Sequence, residues 1–390
     1  MRKLLSFLAL SLCAVACIYP YTPDLEEAPE GVLSVDGSIC IGETSTVYLG
    51  LLSSLWPSEP DDNFHTYLSD SPTQEVRVWV EDDQGGQYPG VSDIFGSYLG
   101  SFTIDTRNAP ADRNYRLCIN ALGATYTSDW SDLAEPPVIK EVQFDADDYL
   151  VNVSVNLDGG VDGTGYMILN YDEAWEFHVD YPLAYEVDPL TWKIMPLESP
   201  DYSRFWCWKS IRNNTNFLVD YSAMAEAGVS GYPLLSFPRT DNRNHRRYCV
   251  NVKARTLSPK TYRFLKNLQD ISSGGDNLFT PEPGEIAGNL HCESDPDRMV
   301  LGYVLFSKMA SKRVFLDSRY LKYSEPTPLI YIMEEKYPDY YARGYRPLNQ
   351  NMDPANGAIR GPYGWGAKRC YDCVAAGGTQ RKPSYWDDAE

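Results

Sequence analysis

The chain has 390 residues, and its 54 Asp and Glu against 34 Lys and Arg leave a formal charge of −20. Such an excess repels phosphate, which excludes nucleic acid as a natural partner, because that binding rests on Lys and Arg displacing counterions. With 29 Tyr, 28 Gly and 27 Pro the composition favours strands joined by turns over helical bundles, and the length suits two domains or slightly more.

Residues 1–16 read as a signal peptide: Arg2 and Lys3, an apolar run over 4–12, then Ala14, Val15 and Ala16 directly before Cys17. As a helix the apolar run through Ala16 rises only about 20 Å, against a hydrocarbon core of roughly 30 Å, so it suits export better than spanning. Lipoprotein processing needs a cysteine at the cleavage point, because the thiol takes the diacylglycerol. Cys17 is therefore the expected lipidation site, although Ala14 stands where Leu is usual in that motif. The membrane is then reached through a lipid anchor and no spanning helix. Loss of Arg2 and Lys3 with the leader takes the charge from −20 to −22 over the remaining 374 residues. Residues 17–31 are rich in Pro and acid and form a tether, with Asp24, Glu26 and Glu27 close to the anchor.

A first domain is expected over 32–135. Leu33, Val35 and Ile39, then Val47, Leu49 and Leu51, then Val76, Val78 and Val80 alternate with other residues as half-buried strands do. Glu81, Asp82, Asp83, Gly85 and Gly86 read as a hairpin turn, and Tyr115, Leu117 and Ile119 as a further strand. Short strands at this spacing suggest a β-sandwich. Pro136 and Pro137 mark a boundary, and a second β-rich domain is expected over 136–322. One helix is signalled inside it: Ser258 is a natural N-cap, Pro259 fits the first turn, and Tyr262, Leu265, Leu268 and Ile271 follow at helical spacing, ending before Ser272. Residues 323–390 read as a Tyr-, Pro- and Gly-rich excursion, ordered or mobile. The fold class is thus mainly β, a sandwich followed by a second β-rich domain with one main helix.

Once Cys13 leaves with the leader and Cys17 is acylated, Cys40, Cys118, Cys207, Cys249, Cys292, Cys370 and Cys373 remain, enough for three disulfides and one thiol in an oxidising compartment. Spacing cannot give the pairing. Cys40 with Cys118 is the preferred single bridge, because both lie in strand-like runs of one domain. Cys370-x-x-Cys373 leaves structural pairing, metal binding and redox exchange open; the exported compartment favours pairing of these two with each other, with Cys292 or with Cys207.

Catalytic motifs are not found. His65, His178, His245 and His291 sit in no zinc-protease pattern, and there is no Gly-x-Ser-x-Gly elbow or phosphate loop, so no cofactor and no metal is expected. The run of Asp158, Gly159, Gly160, Val161, Asp162 and Gly163 lacks the spaced acids of a calcium loop and reads as a hairpin. Trp206 and Trp208 flank Cys207 in a short apolar stretch and are read as packing residues. Tyr340, Tyr341, Tyr345, Tyr363 and Trp365 are candidate partner or ligand contacts.

A wider pattern joins these pieces. Leu33-Ser34-Val35-Asp36-Gly37, Val78-Trp79-Val80-Glu81-Asp82-Asp83 with Gly86 and Tyr88, Pro136-Pro137-Val138-Ile139, Cys207-Trp208 and Thr256-Leu257-Ser258-Pro259 occur in order. Leu278-Phe279-Thr280-Pro281-Glu282-Pro283, Gly288-Asn289, Gly302-Tyr303, Cys370-Tyr371-Asp372-Cys373 with Gly377-Gly378, and Lys382-Pro383 with Trp386 follow. In these the chain resembles the Bacteroidetes lipoprotein family of domain of unknown function 4249. The resemblance implies an outer-membrane lipoprotein, often encoded near TonB-dependent transporters, whose amino-terminal sandwich is immunoglobulin-like or transthyretin-like. It brings no catalytic residue. The function expected is a non-catalytic binding or assembly subunit, lipid-anchored at the cell surface and partnered by an outer-membrane β-barrel. The alternative is an independent glycan- or peptide-binding lipoprotein; a hydrolase ranks last, because 54 acidic residues include no pair that stands out.

Overall fold

Alternating apolar residues build the first body from strands β1 (Val32–Cys40), β2 (Thr44–Leu52), β3 (Arg77–Asp82), β4 (Gln87–Ser92), β5 (Ser101–Asp105), β6 (Tyr115–Ala121) and β7 (Ala124–Ser128). The second body uses β8 (Val138–Ala146), β9 (Leu150–Asp158), β10 (Tyr166–His178), β11 (Leu183–Val187), β12 (Ile194–Asp201), β13 (Trp206–Arg212), β14 (Phe217–Asp220), β15 (Gly228–Pro238) and β16 (Arg247–Thr256). Helix α1 (Pro259–Ser272) follows, then β17 (Leu290–Cys292), β18 (Val300–Ser307), β19 (Ala310–Asp317), β20 (Ile330–Tyr331), α2 (Tyr337–Ala342), β21 (Arg346–Met352) and β22 (Ile359–Gly366). The computed structural model describes residues 32–52, 76–92, 100–159, 164–213, 215–224, 228–272, 288–317, 326–352 and 359–387. The expected signal peptide, Cys17, the tether, His65 and most of the 158–163 run lie outside them.

The first sheet runs β17-β7-β6-β3-β4-β5-β2-β1-β18. It folds over a single core in which Leu33, Val35, Ile39, Val47 and Ile104 meet Val80, Tyr115, Leu117, Ile119 and Tyr126. Two of its strands come from far along the chain: β18 pairs parallel with β1, and β17 pairs with β7. The ends of the sheet are tied by one side chain. Asn289 donates from Nδ2 to the Val304 carbonyl at 2.9 Å and accepts at Oδ1 from the Val304 amide at 2.8 Å, as a neighbouring strand would. The sandwich is therefore completed by residues 290–307, beyond the 32–135 stretch whose periodicity announces it.

The expected Cys40–Cys118 bridge is overturned: both thiols are free. Cys40 follows inward-facing Ile39, and Cys118 lies between inward-facing Leu117 and Ile119. Strand alternation therefore turns both sulfurs away from the shared core, from two different layers. Burial pushes the Cys40 thiol up to about 11 and the Cys118 thiol up to about 12, so both stay protonated near neutral pH.

The second body is also a sandwich. Sheet β15-β9-β8 packs on sheet β13-β10-β16-β19, with β14 on the side of β10. Val151, Val153, Val155 and Leu157 face Met167, Leu169, Tyr171, Trp175, Phe177, Tyr248, Val250 and Val252. Helix α1 begins as its sequence requires, with Ser258 Oγ accepting from the Thr261 amide at 3.2 Å; it runs through Ser272, one residue past the expected stop. Within 323–390 the described residues include a layer in which β20-β22-β21 pack with the β11–β12 hairpin around Trp365. The Cys207–Cys373 disulfide pins this layer to β13, as the alternative of Cys373 with Cys207 allowed, and Cys370 remains a free thiol. No helix among the described residues is long and apolar enough to cross a membrane.

Candidate cationic-aromatic groove

The outer face of sheet β13-β10-β16-β19 carries three aligned rows. Register places Trp208, Glu176, Arg247 and Asp317 in the first, Ser210, Ala174, Cys249 and Phe315 in the second, and Arg212, Asp172, Asn251 and Arg313 in the third. The middle row has small side chains on three strands. Trp386, from the end of the chain, fills that space: it packs on Ala174 and Cys249, is 3% exposed, and meets Phe315 edge-on at 5.4 Å between ring centroids.

Around this indole opens a cleft of about 890 Å³. Its cations are Arg246, Arg247, Arg313 and Lys382, and its carboxylates Glu176, Asp317 and Asp387. A net positive lining in a chain of charge −20 is a local reversal of sign, and low-dielectric walls concentrate its field. Arg246 pairs with Glu176 at 2.8 Å and Lys382 with Asp387 at 2.5 Å. Arg247 lies 4.3 Å over the Phe315 ring and donates to the Trp386 carbonyl at 3.1 Å. Arg313 lies 3.7 Å over the Tyr385 ring and has no carboxylate partner among the described residues. Trp208, also in the lining, has a buried indole N–H without a hydrogen-bond acceptor among the described residues. A second cavity of about 400 Å³ continues over the third row and shares Arg313, so the two form one groove crossed by Tyr385 and Trp386. The Cys249 thiol on its floor is pushed up to about 12 by burial, against the pull of Arg313 and Arg247.

Chemistry-bearing groups elsewhere are committed to structure. Glu173, buried on the inner face of β10, accepts from Arg243 Nε at 2.9 Å and from the Tyr248 hydroxyl at 2.8 Å. Burial and the neighbouring Glu173 charge drive the Tyr248 phenol far up, so the phenol stays protonated and the network closes one end of the core. His178 and His245 come together at 4.5 Å between ring centroids, with Phe205 stacked on His178 at 5.0 Å. Burial is the main cause that lowers His245 to about 4, so its ring is neutral near pH 7. His291 contacts Asp129 on the surface at 2.7 Å.

The aromatic residues expected to face a partner form a core of their own. Trp365 is 0% exposed, and Tyr340, Tyr341, Tyr345 and Tyr363 pack half-buried around it with Val187, Ile332 and Tyr337. The expectation of a contact role fails for Trp365, because strand β22 turns it into the layer and leaves Leu190 at 89% exposure and Met333 at the surface instead. Arg246, Arg247, Arg313 and Phe315 were not singled out from sequence. A signal was present: Arg243, Arg246 and Arg247 fall within five residues of an acidic chain.

A family model described as Domain of unknown function (DUF4249) matches residues 18–313. The chain belongs to this family. The match ends within β19, so the Cys370-x-x-Cys373 and Trp386 motifs of this DUF4249 chain fall outside the matched residues. No curated protein matches it. Among solved structures, that of the chicken interferon gamma receptor alpha chain is similar over 58% of this chain and 89% of its own, at 14% identity. Its TM-score is 0.14, too low to carry any argument about the DUF4249 fold.

Proposed function

We propose that this DUF4249 chain is a non-catalytic binding or assembly subunit of the outer membrane. In this reading it is lipid-anchored through Cys17 at the cell surface and engages a TonB-dependent transporter or another β-barrel. The observation that carries the binding role is the groove: four cations and three carboxylates over an aromatic floor, a small positive excess among the described residues in a chain of charge −20. Such a surface steers an acidic loop of a partner and holds it by charge-assisted contacts. The test is purification of the full chain from detergent-solubilised membranes, followed by identification of co-purifying proteins. A β-barrel should accompany the wild type, dissociate with rising salt, and be lost from an Arg247→Glu/Arg313→Glu variant. Recovery of the lipoprotein alone, in detergents that keep known barrel complexes intact, would remove the reading.

A second reading is an independent glycan- or peptide-binding lipoprotein, favoured by the Trp208 indole N–H, which has no acceptor among the described residues and lies beside Phe315 and Trp386. Stacking on sugar rings and donation to a hydroxyl both suit that set. Calorimetry of the chain against an acidic and neutral oligosaccharide panel separates the two, since only this reading expects heat without a barrel.

A further inference from the structure

The groove is already occupied along part of its length by residues 382–387 of the same chain. This occupant shows what the groove accepts. Trp386 fills the gap above Ala174 and Cys249, Tyr385 lies flat against Arg313 at 3.7 Å, and carboxylates at Asp387, Asp388 and Glu390 follow in sequence.

Its attachment differs from that of the strands beneath. The last ladder contact before it is the bridge between Trp208 and Thr379. From there onward the main chain meets the sheet at the Trp386 carbonyl, which accepts from Arg247. The Trp386 amide donates back to the Pro383 carbonyl, and Lys382 pairs with Asp387 inside the segment itself. Beneath it β10 and β16 are zipped together over ten consecutive register pairs, from Met167 with Thr256 to Glu176 with Arg247. Local opening is easiest where backbone hydrogen bonds to the rest of the molecule are few. Among the described residues two rings, the Tyr385–Ser210 side-chain hydrogen bond and one main-chain bond attach it to the sheet, far fewer bonds than join β10 to β16, which makes this the segment that opens while the sheet stays closed.

We infer that residues 382–387 are a displaceable strap, and that the ligand of the groove is a peptide segment of the same chemistry: aromatic side chains followed by carboxylates. The inference rests on the reading of the groove as the partner site and names what the partner presents there. Arg313 is central, because in the strapped state it lies over the Tyr385 ring, and an incoming acidic residue would pair with the same guanidinium. The strap also sets the apparent affinity, since a ligand competing with a closed state binds more weakly by the fraction of molecules that are open.

The test uses the intact chain and a fluorescent synthetic peptide with the sequence of residues 384–390. Hydrogen exchange should find the amides of 382–387 at least 10-fold less protected than those of β16, and excess peptide should expose them further. Anisotropy should show salt-sensitive binding, lost when the peptide Trp is replaced by Ala, and at least 10-fold tighter binding to a chain ending at Arg381. If the shortened chain does not fold, exchange and binding on the intact chain still decide. Protection of 382–387 equal to that of β16, or exchange there unmoved by saturating peptide, overturns the strap. A displaced strap with no barrel in the membrane purification would leave this inference standing and remove only the identity of the partner.

Discussion

His245 is the residue whose chemistry responds most directly to its surroundings. Burial, with His178 alongside, lowers its pKa from 6.5 to about 4, against the opposing pull of the His178 backbone hydrogen bond and of Asp180 and Asp241. Its Nδ1 lies 3.0 Å from the His178 carbonyl and 3.4 Å from the His178 amide, so the His178 backbone can pair with either neutral tautomer. Between pH 6.5 and 4 the unfolded chain binds a proton that the native chain refuses. Stability is therefore complete above 6.5 and falls as pH drops towards 4, by about 2 kcal/mol between pH 7 and pH 5 from this group. Urea midpoints at the two pH values, compared with those of His245→Gln, isolate it: the variant should lose most of that difference. Equal acid sensitivity in the two chains would mean that other groups govern the loss. Asp82 shows the same scale in a family motif. Burial alone would raise its carboxyl, but donors from the Gly86 amide at 2.8 Å, Arg113 at 2.7 Å and the Gln84 amide at 3.0 Å outweigh this and hold it below the usual carboxylate range. The Glu81-Asp82-Asp83 string with Gly86 is legible in sequence as a turn; that Asp82 is the buried acceptor holding it together is not, because Arg113 arrives from 31 residues away.

Among the elements, β18 shows why glycine is required at positions 288 and 302. Gly302 sits at φ +124°, where L side chains are strained, and a Cβ there would strike the Val35 carbonyl oxygen of β1; a Cβ on Gly288 would strike the Gly302 carbonyl. The three backbones are stacked at a distance that only glycine permits. Gly302→Ala should therefore cost about 3 kcal/mol or more, from backbone strain and the forced separation of β1 from β18. Gly42→Ala is the control: φ is +93° but nothing lies within 4 Å, so it should cost about 1 kcal/mol. Denaturant unfolding of the two variants decides, and a Gly302 variant no weaker than the Gly42 variant would show that β18 yields freely. This pairing marks the limit of what periodicity conveys. Strands β1, β3 and β6 are legible because every second residue is apolar, and α1 because its cap, proline and stripe agree. The parallel docking of β18 on β1 joins Leu33 to Val300, and no local pattern encodes a partner so distant. The groove is illegible for a related reason: its residues are spread over β10, β13, β16, β19 and the strap, and become neighbours only through cross-strand register.

At the scale of the whole molecule, the Cys207–Cys373 disulfide joins parts that the cores alone hold loosely. Cys373 lies in the core of the second sandwich, while Cys370, three residues earlier, is buried beside the Trp365 layer. The bridge closes a separation of 166 residues, and removing such a crosslink releases unfolded-chain entropy worth about 2–5 kcal/mol. That loss should not be shared equally. The first sandwich closes through Asn289 and β18, which lie within the 207–373 loop in sequence but pack on the first core, whereas the β20–β22 layer and the strap that follows it are tethered through Cys373. In a Cys207→Ser/Cys373→Ser chain, calorimetry should resolve an earlier transition in which Trp365 fluorescence and the protection of 382–387 are lost together, while β1 and β6 keep their protection to the original melting temperature. Simultaneous loss of protection in every strand would instead make the bond a brace for the entire fold. If the early transition appears, reduction of one disulfide and occupation of the groove act on the same end of the chain, and the oxidation state becomes a determinant of how readily the strap opens.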